Sequence, residues 1–459
     1  MNSMRFAIAL TAGKICSALC KTFFPKRGSN LPGAVALKLD PLFLHHITGV
    51  DPAKTVYVTG TNGKSTANNM IVHAFEAAGF SVCSNLEGAN MKPGAAAAIL
   101  RHTTMGGRFT KEYLVLEIDE RSLSHMAEAL PPGSLCVTNI QKDQVQRNGD
   151  PDYIYQKIKS VIARAGALTL YVNNEEPRCK SLGAHIPDGG RVVSFGVAQN
   201  ARGSEIEADW GVAMPCPLCH NALSFAWYNL AGVGAFRCEG CGFASGGPAD
   251  YLITEVDYEN GTFRAGGKDF GPETFRLAYA AAFFLYNYAL CISVCAEFGV
   301  GADALKQSLE TFSNIGGRME EFSYAGKRVR YMRIKQENPE TLQNALDTIA
   351  EDKGNKIFVV GPAVIDDIIP HYSNTFYTFD CNFEPLIKSG VERCICFGST
   401  ISYDMANRLR YAGVPDDDID ILDTDDDDRI LAAIAACESD NVYLITWIKK
   451  YEKLKGRVG

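Results

Sequence analysis

Short runs of β-branched and apolar residues alternate with helix-patterned stretches along the first half of the chain. Residues 55–59, 113–118, 135–138, 168–173 and 192–195 each read as a buried strand bounded by polar or glycine-containing turns. The alternation predicts an α/β fold, with a mostly parallel sheet covered by helices on both faces. Ahead of the first strand, Phe6, Ile8, Leu10, Ile15 and Leu19 fit a helix packed on a domain. Arg5, Lys14 and Lys21 interrupt that helix, so its apolar core reads as too short for a membrane span, and no segment elsewhere is long and apolar enough. A basic, turn-rich connector at 26–33 leads into the strand-rich region.

Between Trp210 and Gly247 the pattern changes to cysteine, glycine and aromatic residues, which marks an insertion. The α/β rhythm then resumes with a long apolar helix expected around 277–298. A further unit starts after Gly317-Arg318-Met319-Glu320, with strands expected at 356–360, 393–397 and 442–446. Its acidic run at 416–428 reads as a solvated loop and helix start rather than a metal site. Three parts follow: a helical N-terminal segment at 1–50, a central domain at 51–316 carrying the insertion at 210–247, and a C-terminal α/β domain at 317–459.

A length of 459 residues and a charged fraction of 21% suit about three ordinary globular domains. The net charge of −8 argues against a surface built to coat nucleic acid. Fifteen cysteines are too sparse for a disulfide scaffold of this length and point, with the loop below, to a reducing cytoplasm.

The first expected strand breaks into Gly60-Thr61-Asn62-Gly63-Lys64-Ser65-Thr66. Two glycines let backbone N–H groups turn inward, and a helix opening near Ser65 adds its positive end to the cradle. Lys64 then neutralises the terminal phosphates of ATP, and Ser65 offers Mg2+ an oxygen. The usual first glycine of a P-loop would fall at Val58, so this is a shorter variant. Glu117 ends a strand where parallel sheets present functional groups, and reads either as a second Mg2+ ligand or as a solvent-facing terminus, with Asp119 and Glu120 beside it. Asn139, Gln141, Asp143 and Gln144 follow another strand and offer amide and carboxylate groups to the same crevice.

Cys216-Pro217-Leu218-Cys219 and Cys238-Glu239-Gly240-Cys241 supply four thiolates at the spacing of a closed tetrahedral Zn2+ site. With no ligand position left for water, such a metal is structural and stabilises a ribbon that has too little core of its own. His220 reads as a bystander.

The loop 60–66 resembles the ATP loop of the Mur ligase superfamily, whose members activate a carboxylate with ATP and join an amine to it. Further points of resemblance are Asn173-Asn174-Glu175-Glu176-Pro177, Tyr286-Asn287 for the adenine side and Arg318 for the phosphates. Within the superfamily, the four-cysteine insertion, 28–33, Glu87-Gly88-Ala89-Asn90-Met91 and Asp143-Gln144 resemble the MurT type, ligase subunits of lipid II isoglutaminyl synthase. That resemblance implies amidation of the D-glutamate α-carboxylate of lipid II through an acyl phosphate, with ammonia from a separate GatD-like glutaminase. Lys157 occupies the place of a carbamylated lysine in several Mur ligases, and its role stays open.

Two positions depart from the MurT pattern. Asn374 stands where the family has an aspartate that completes the partner's Cys-His pair, which leaves Asp380 as the nearest carboxylate for that role. Phe284 replaces an asparagine before Tyr286-Asn287. Other readings are an amino-acid-adding Mur or folylpolyglutamate-type ligase, and a non-enzymatic paralogue that binds ATP or a cell-wall precursor.

Overall fold

The computed structural model describes residues 2–23, 30–85, 90–143, 149–199, 214–230, 232–268, 270–278, 282–312, 319–335, 338–361, 375–398 and 400–458. They form two compact units, one of residues 1–141 with 150–313 and one of 142–149 with 314–459.

In the first unit the strands are β1 (Thr55–Thr59), β2 (Val82–Cys83), β3 (Tyr113–Glu117), β4 (Ser134–Val137), β5 (Thr169–Asn173), β6 (Arg191–Val197), β7 (Leu223–Leu230), β8 (Val233–Cys238), β9 (Tyr251–Asp257), β10 (Thr262–Gly267) and β11 (Phe270–Arg276). Nine of them make one sheet in the order β11-β10-β9-β6-β5-β4-β1-β3-β2, while β7 and β8 pair separately. Pairing is parallel from β2 across to β9, and β10 and β11 add an antiparallel extension. β1 lies between β3 and β4, so the chain reverses its direction of winding beside the carboxyl end of β1. That reversal opens the crevice where doubly wound sheets bind ligands.

Burial explains why β1 reads as unbroken apolar sequence: all five of its residues are buried. Val56 and Val58 face a core shared with α3 (Lys64–Ala77) and the helix Ala282–Glu297. Tyr57 faces the opposite core with Leu100, Leu116 and Ile158, and its hydroxyl donates to the Leu130 carbonyl at 2.7 Å. The helix expected at 277–298 is thus Ala282–Glu297, buried around its circumference, and β11 ends just ahead of the expected range, at Arg276. β9 to β11 were not expected: their outward positions are polar and their inward ones, such as Ile253, Phe263 and Phe275, are separated by too little of either to stand out.

α1 (Asn2–Phe23) packs on α2 (Leu31–Leu39) and α4 (Lys92–Arg101), burying Ala9, Leu10 and Leu100. By length and composition alone, its span Met4–Phe23 is long and apolar enough to cross a bilayer, although basic residues interrupt it.

The second unit holds β12 (Met319–Tyr324), β13 (Lys327–Arg333), β14 (Lys356–Gly361), β15 (Val391–Phe397), β16 (Ile419–Leu422) and β17 (Asn441–Thr446), in the order β12-β13-β17-β14-β15-β16. All pairs are parallel except β12 with β13. Phe358, Cys394, Cys396 and Tyr443 face the helices Pro339–Glu351 and Thr400–Tyr411, whereas Ile357, Val359, Ile395 and Leu444 face Asp427–Ala436 and Ile448–Val458. The acidic run contains β16 as well as the expected helix start, where the Asp426 carboxylate accepts from the Arg429 N–H at 2.9 Å.

Candidate functional site

The loop after β1 is fixed from one side by the segment that follows β4. Thr61 N–H donates to the Asn139 carbonyl at 2.8 Å, and the Asn139 side chain brackets Asn62, accepting from its N–H at 2.9 Å and donating to its carbonyl at 3.0 Å. Gln141 continues the seam, with its N–H on Thr61 Oγ1 at 2.9 Å and its side-chain oxygen accepting from Asn62 at 3.1 Å. Asn139 and Gln141, expected to offer amide groups to the crevice, buttress the loop.

Close approach explains the glycines. A Cβ on Gly60 would lie 2.4 Å from Thr138 Oγ1, and one on Gly63 would lie 2.3 Å from Asn287 Oδ1; both residues have left-handed φ, +118° and +82°. Gly63 stands at the N-cap of α3, where it has no side chain to offer the first N–H groups of that helix. Ser65 is exposed there, Thr66 is buried, and the buried Nδ2 of Asn287 has no hydrogen-bond partner among the described residues. A cradle that excludes any Cβ, an uncapped helix start and an orphaned amide donor fit the phosphates of a nucleotide.

Lys64 is 7% exposed and donates to the Gly60 carbonyl, to the Thr61 carbonyl at 3.2 Å and to the Glu120 carboxylate at 2.8 Å. Its carboxylate partner is therefore Glu120, not Glu117. Glu117 is buried at the end of β3 and accepts from Asn90 Nδ2 at 3.0 Å, while Asn85 holds both backbone groups of the same residue at 3.0 and 2.8 Å. Asp119 turns away into a bidentate pair with Arg121. The solvent-facing alternative for Glu117 fails on its burial. Asn85 was not singled out from sequence and Glu120 was named only as a neighbour of Glu117, since an asparagine after a two-residue edge strand and one acid among three carry no local signal.

Phe284 packs in the apolar core, which accounts for an apolar residue at that position. Tyr286 is buried with its hydroxyl 3.2 Å from Asn229 Nδ2. Lys157 lies over the Tyr153 ring at 4.7 Å. Gly28, Ser29, Glu87, Gly88, Ala89, Gln144, Arg318 and Asn374 lie outside the described residues.

The turn 173–177 receives the β7–β8 ribbon. Asn173 Oδ1 accepts from the Glu175 N–H at 3.0 Å, and Glu176 caps the following helix by accepting from Arg178 and Cys179 at 3.1 and 2.8 Å. The ribbon docks on this turn through Gly234 N–H to the Glu175 carbonyl at 2.9 Å and through Lys180, which bridges Asn174 and the Ser245 carbonyl. Burial pushes the Glu175 carboxyl up to about 7, against the lowering effect of the Val197 N–H, Asn174 and Lys180.

At the far end of the ribbon the sulfurs of Cys216, Cys219, Cys238 and Cys241 lie within 4.8 Å of one another, a gathering of metal-ligand type among the described residues. Cys216 to Cys241 is 3.7 Å and Cys219 to Cys238 is 3.4 Å, close to the edge of about 3.8 Å that a tetrahedron with ~2.3 Å metal–sulfur bonds requires. The two halves share one geometry. The backbone carbonyls of Cys216 and Cys238 accept from the N–H of His220 and Gly242, each at 2.9 Å, and these two donors have φ of 64° and 75°. The Asn221 N–H, then Cys238, pushes the Cys219 thiol down to about 6. At Cys241 the Phe243 N–H lowers and Cys219 raises, with a net rise to about 12: four thiols this close do not all ionise without a cation among them. The cluster fits a metal.

Within the second unit, Asp143 is buried and accepts from Asn338 Nδ2 at 3.1 Å and from Lys335. Lys142 pairs with Asp380 at 2.9 Å. Asp380 ends a short helix, Thr375–Asp380, and the next residues are anchored by Arg408, which donates to the Cys381 carbonyl at 2.6 Å and pairs with Glu384.

A doubly wound sheet with a Cβ-excluding loop at its switch point is the arrangement of a nucleotide-binding α/β domain, and residues 58–214, which carry it, match the Mur ligase middle domain family. A pseudomurein peptide ligase type C from Methanothermus fervidus shares the fold, with a TM-score of 0.64 and 19% identity over 90% of this chain and 79% of that one. Further along the chain, residues 336–448 match the MurT ligase C-terminal family. Lipid II isoglutaminyl synthase (glutamine-hydrolyzing) subunit MurT of Staphylococcus aureus strain COL is 28% identical over 85% of this chain and 84% of its own length. Its namesake in Streptococcus pneumoniae strain ATCC BAA-255 / R6 is 27% identical over 91% and 90%.

Proposed function

We propose that this chain is the ligase subunit of a lipid II isoglutaminyl synthase, acting in the cytoplasm at the inner face of the membrane. The observation that carries the reading is the coexistence, on one chain, of an intact phosphate loop at 60–66 and a MurT-type C-terminal region at 336–448. A carboxylate resists attack by ammonia. Transfer of the γ-phosphoryl group of ATP to an oxygen of the D-glutamate α-carboxylate gives an acyl phosphate and ADP. Ammonia then forms a C–N bond at the carbonyl carbon, the C–O bond to phosphate breaks, and the nitrogen loses a proton.

Gly60, Thr61, Asn62, Gly63, Ser65 and Thr66 hold the phosphates in this reading, with Asn287 and Arg318 completing the nucleotide site. Lys64 exchanges its carbonyl and Glu120 contacts for phosphate oxygens. Ser65 and Glu117 would hold Mg2+, which supplies charge neutralisation at the transferring group. Cys216, Cys219, Cys238 and Cys241 would hold a structural Zn2+. A GatD-like glutaminase supplies the ammonia, and Asp380 is the carboxylate assigned to that partner's Cys-His pair.

The test is amidation of lipid II by the chain purified with its glutaminase, driven by ATP with glutamine or with added ammonia. Lys64→Ala and Glu117→Ala should each abolish ATP turnover in both assays while the chain stays folded by circular dichroism, with a lowered thermal midpoint in Lys64→Ala because the buried Glu120 loses its partner. Wild-type turnover in either variant refutes the role given to that residue. Retained ATP binding with no product from either nitrogen source identifies a precursor-binding paralogue instead.

A further inference from the structure

An ordinary surface helix has one apolar stripe, and the fold consumes it. α1 has two. Its inner face, at Ala9, Leu10 and Gly13, is buried. On the other side Met4, Ile8, Ile15 and Leu19 are 73, 54, 57 and 53% exposed. Met4, Ile8, Ile15 and Leu19, with the polar Thr11 between the two pairs, recur at three- and four-residue intervals, so these side chains form one outward stripe that is apolar except at its centre. Only 17% of Met4–Phe23 is buried, which separates it from a core helix of similar composition.

Charge identifies the occupant. Counted by helical turn, Lys14 and Lys21 line one flank of the stripe and Arg5 the other. Burial lowers the pKa of His102, and Lys111, Arg101, Lys21 and Lys14 add to the effect, so four cations surround this imidazole at the end of α4. In a chain of net charge −8, such a basic rim around exposed isoleucine and leucine is a local inversion. Long basic side chains that flank an apolar stripe reach lipid phosphates while the stripe enters the acyl boundary.

We propose that the outward face of α1 is a docking surface for an anionic lipid bilayer, on which the helix lies flat. Crossing is excluded for the folded chain, because Ala9, Leu10 and Gly13 are committed to α2 and α4. The proposal deepens the membrane location given above but does not depend on the ligase reaction.

Co-sedimentation of the full chain with vesicles free of lipid II tests it. The chain should pellet with vesicles of phosphatidylglycerol and phosphatidylcholine, release as salt rises, and bind pure phosphatidylcholine at least about tenfold more weakly. Ile8→Glu with Ile15→Glu, and separately Lys14→Glu with Lys21→Glu, should each reduce binding by about tenfold or more at unchanged ATP turnover and thermal midpoint. Equal binding of parent and both variants overturns the proposal, as does no binding above the neutral-lipid background. A parent dimer in sedimentation velocity that Ile8→Glu with Ile15→Glu dissolves, without vesicle binding, assigns the stripe to a second copy of the chain. Resistance of the bound chain to alkaline carbonate extraction overturns the flat geometry. Vesicle binding without amidation activity leaves this inference standing and removes only the ligase reading.

Discussion

At Gly63 two constraints act on one atom. The left-handed φ of +82° penalises any side chain, and the added carbon would meet Asn287 Oδ1 at 2.3 Å. Gly63→Ala should therefore cost about 1–3 kcal/mol locally and weaken nucleotide binding at least tenfold by calorimetry. Adding Asn287→Ala removes the clash but not the backbone strain, so only part of the lost stability should return in thermal unfolding, with nucleotide binding still weak because Asn287 belongs to the site; full recovery of stability would show that φ is unimportant. Glu175 offers a pH handle. Burial pushes its pKa up to about 7, above the ordinary carboxyl value of about 4.5, so the folded state holds this proton more tightly and the associated stability is complete below about 4.5. As pH rises through about 7 that contribution is lost. The thermal midpoint of the parent should fall relative to that of Glu175→Gln across this window and run parallel to it above; parallel curves throughout would place the titrating group elsewhere.

Among the elements, the ribbon has the clearest division of labour between core and metal. Its own buried cluster is Cys216, Leu223, Phe236 and Cys238, far too small to support a hairpin in water. One Zn2+ per chain is expected by metal analysis, and Cys238→Ser should release it and expose β7–β8 to protease; a well-folded protein with no metal would contradict this. His220 sits at the left-handed position that glycine fills in the second knuckle, so His220→Gly should preserve metal content and slow its loss to a chelator, whereas a ligand role for the imidazole would make loss faster. Sequence spacing was enough to gather the four thiols, and β1 with its loop was equally legible, because a fully buried strand and a strained glycine turn each leave a local signature. Partnerships across sequence left none. Nothing near Lys64 selects Glu120 over Glu117, nothing in 173–177 announces a ribbon dock, and β16 is short enough to disappear within its acidic surroundings.

For the whole molecule the open question is how nitrogen reaches the activated carboxylate, and Asn374 and Asp380 frame it. An amide orients a histidine but does not stabilise imidazolium by charge. If Asn374 is the residue facing the partner's Cys-His pair, glutamine should drive amidation poorly relative to added ammonia, which bypasses the glutaminase. Asn374→Asp should then raise the glutamine-dependent rate by about ten to ten-thousandfold, the range expected for a triad carboxylate, and leave the ammonia-dependent rate nearly unchanged. Asp380 supports the opposite outcome, since it is already a carboxylate 31% exposed and held at 2.9 Å by Lys142. If it fills the role, the parent complex uses glutamine efficiently, Asn374→Asp changes little, and Asp380→Asn lowers the glutamine-dependent rate alone. Loss of both rates in Asp380→Asn would instead place this residue in the ligase reaction, because ammonia restores only what the glutaminase lacks.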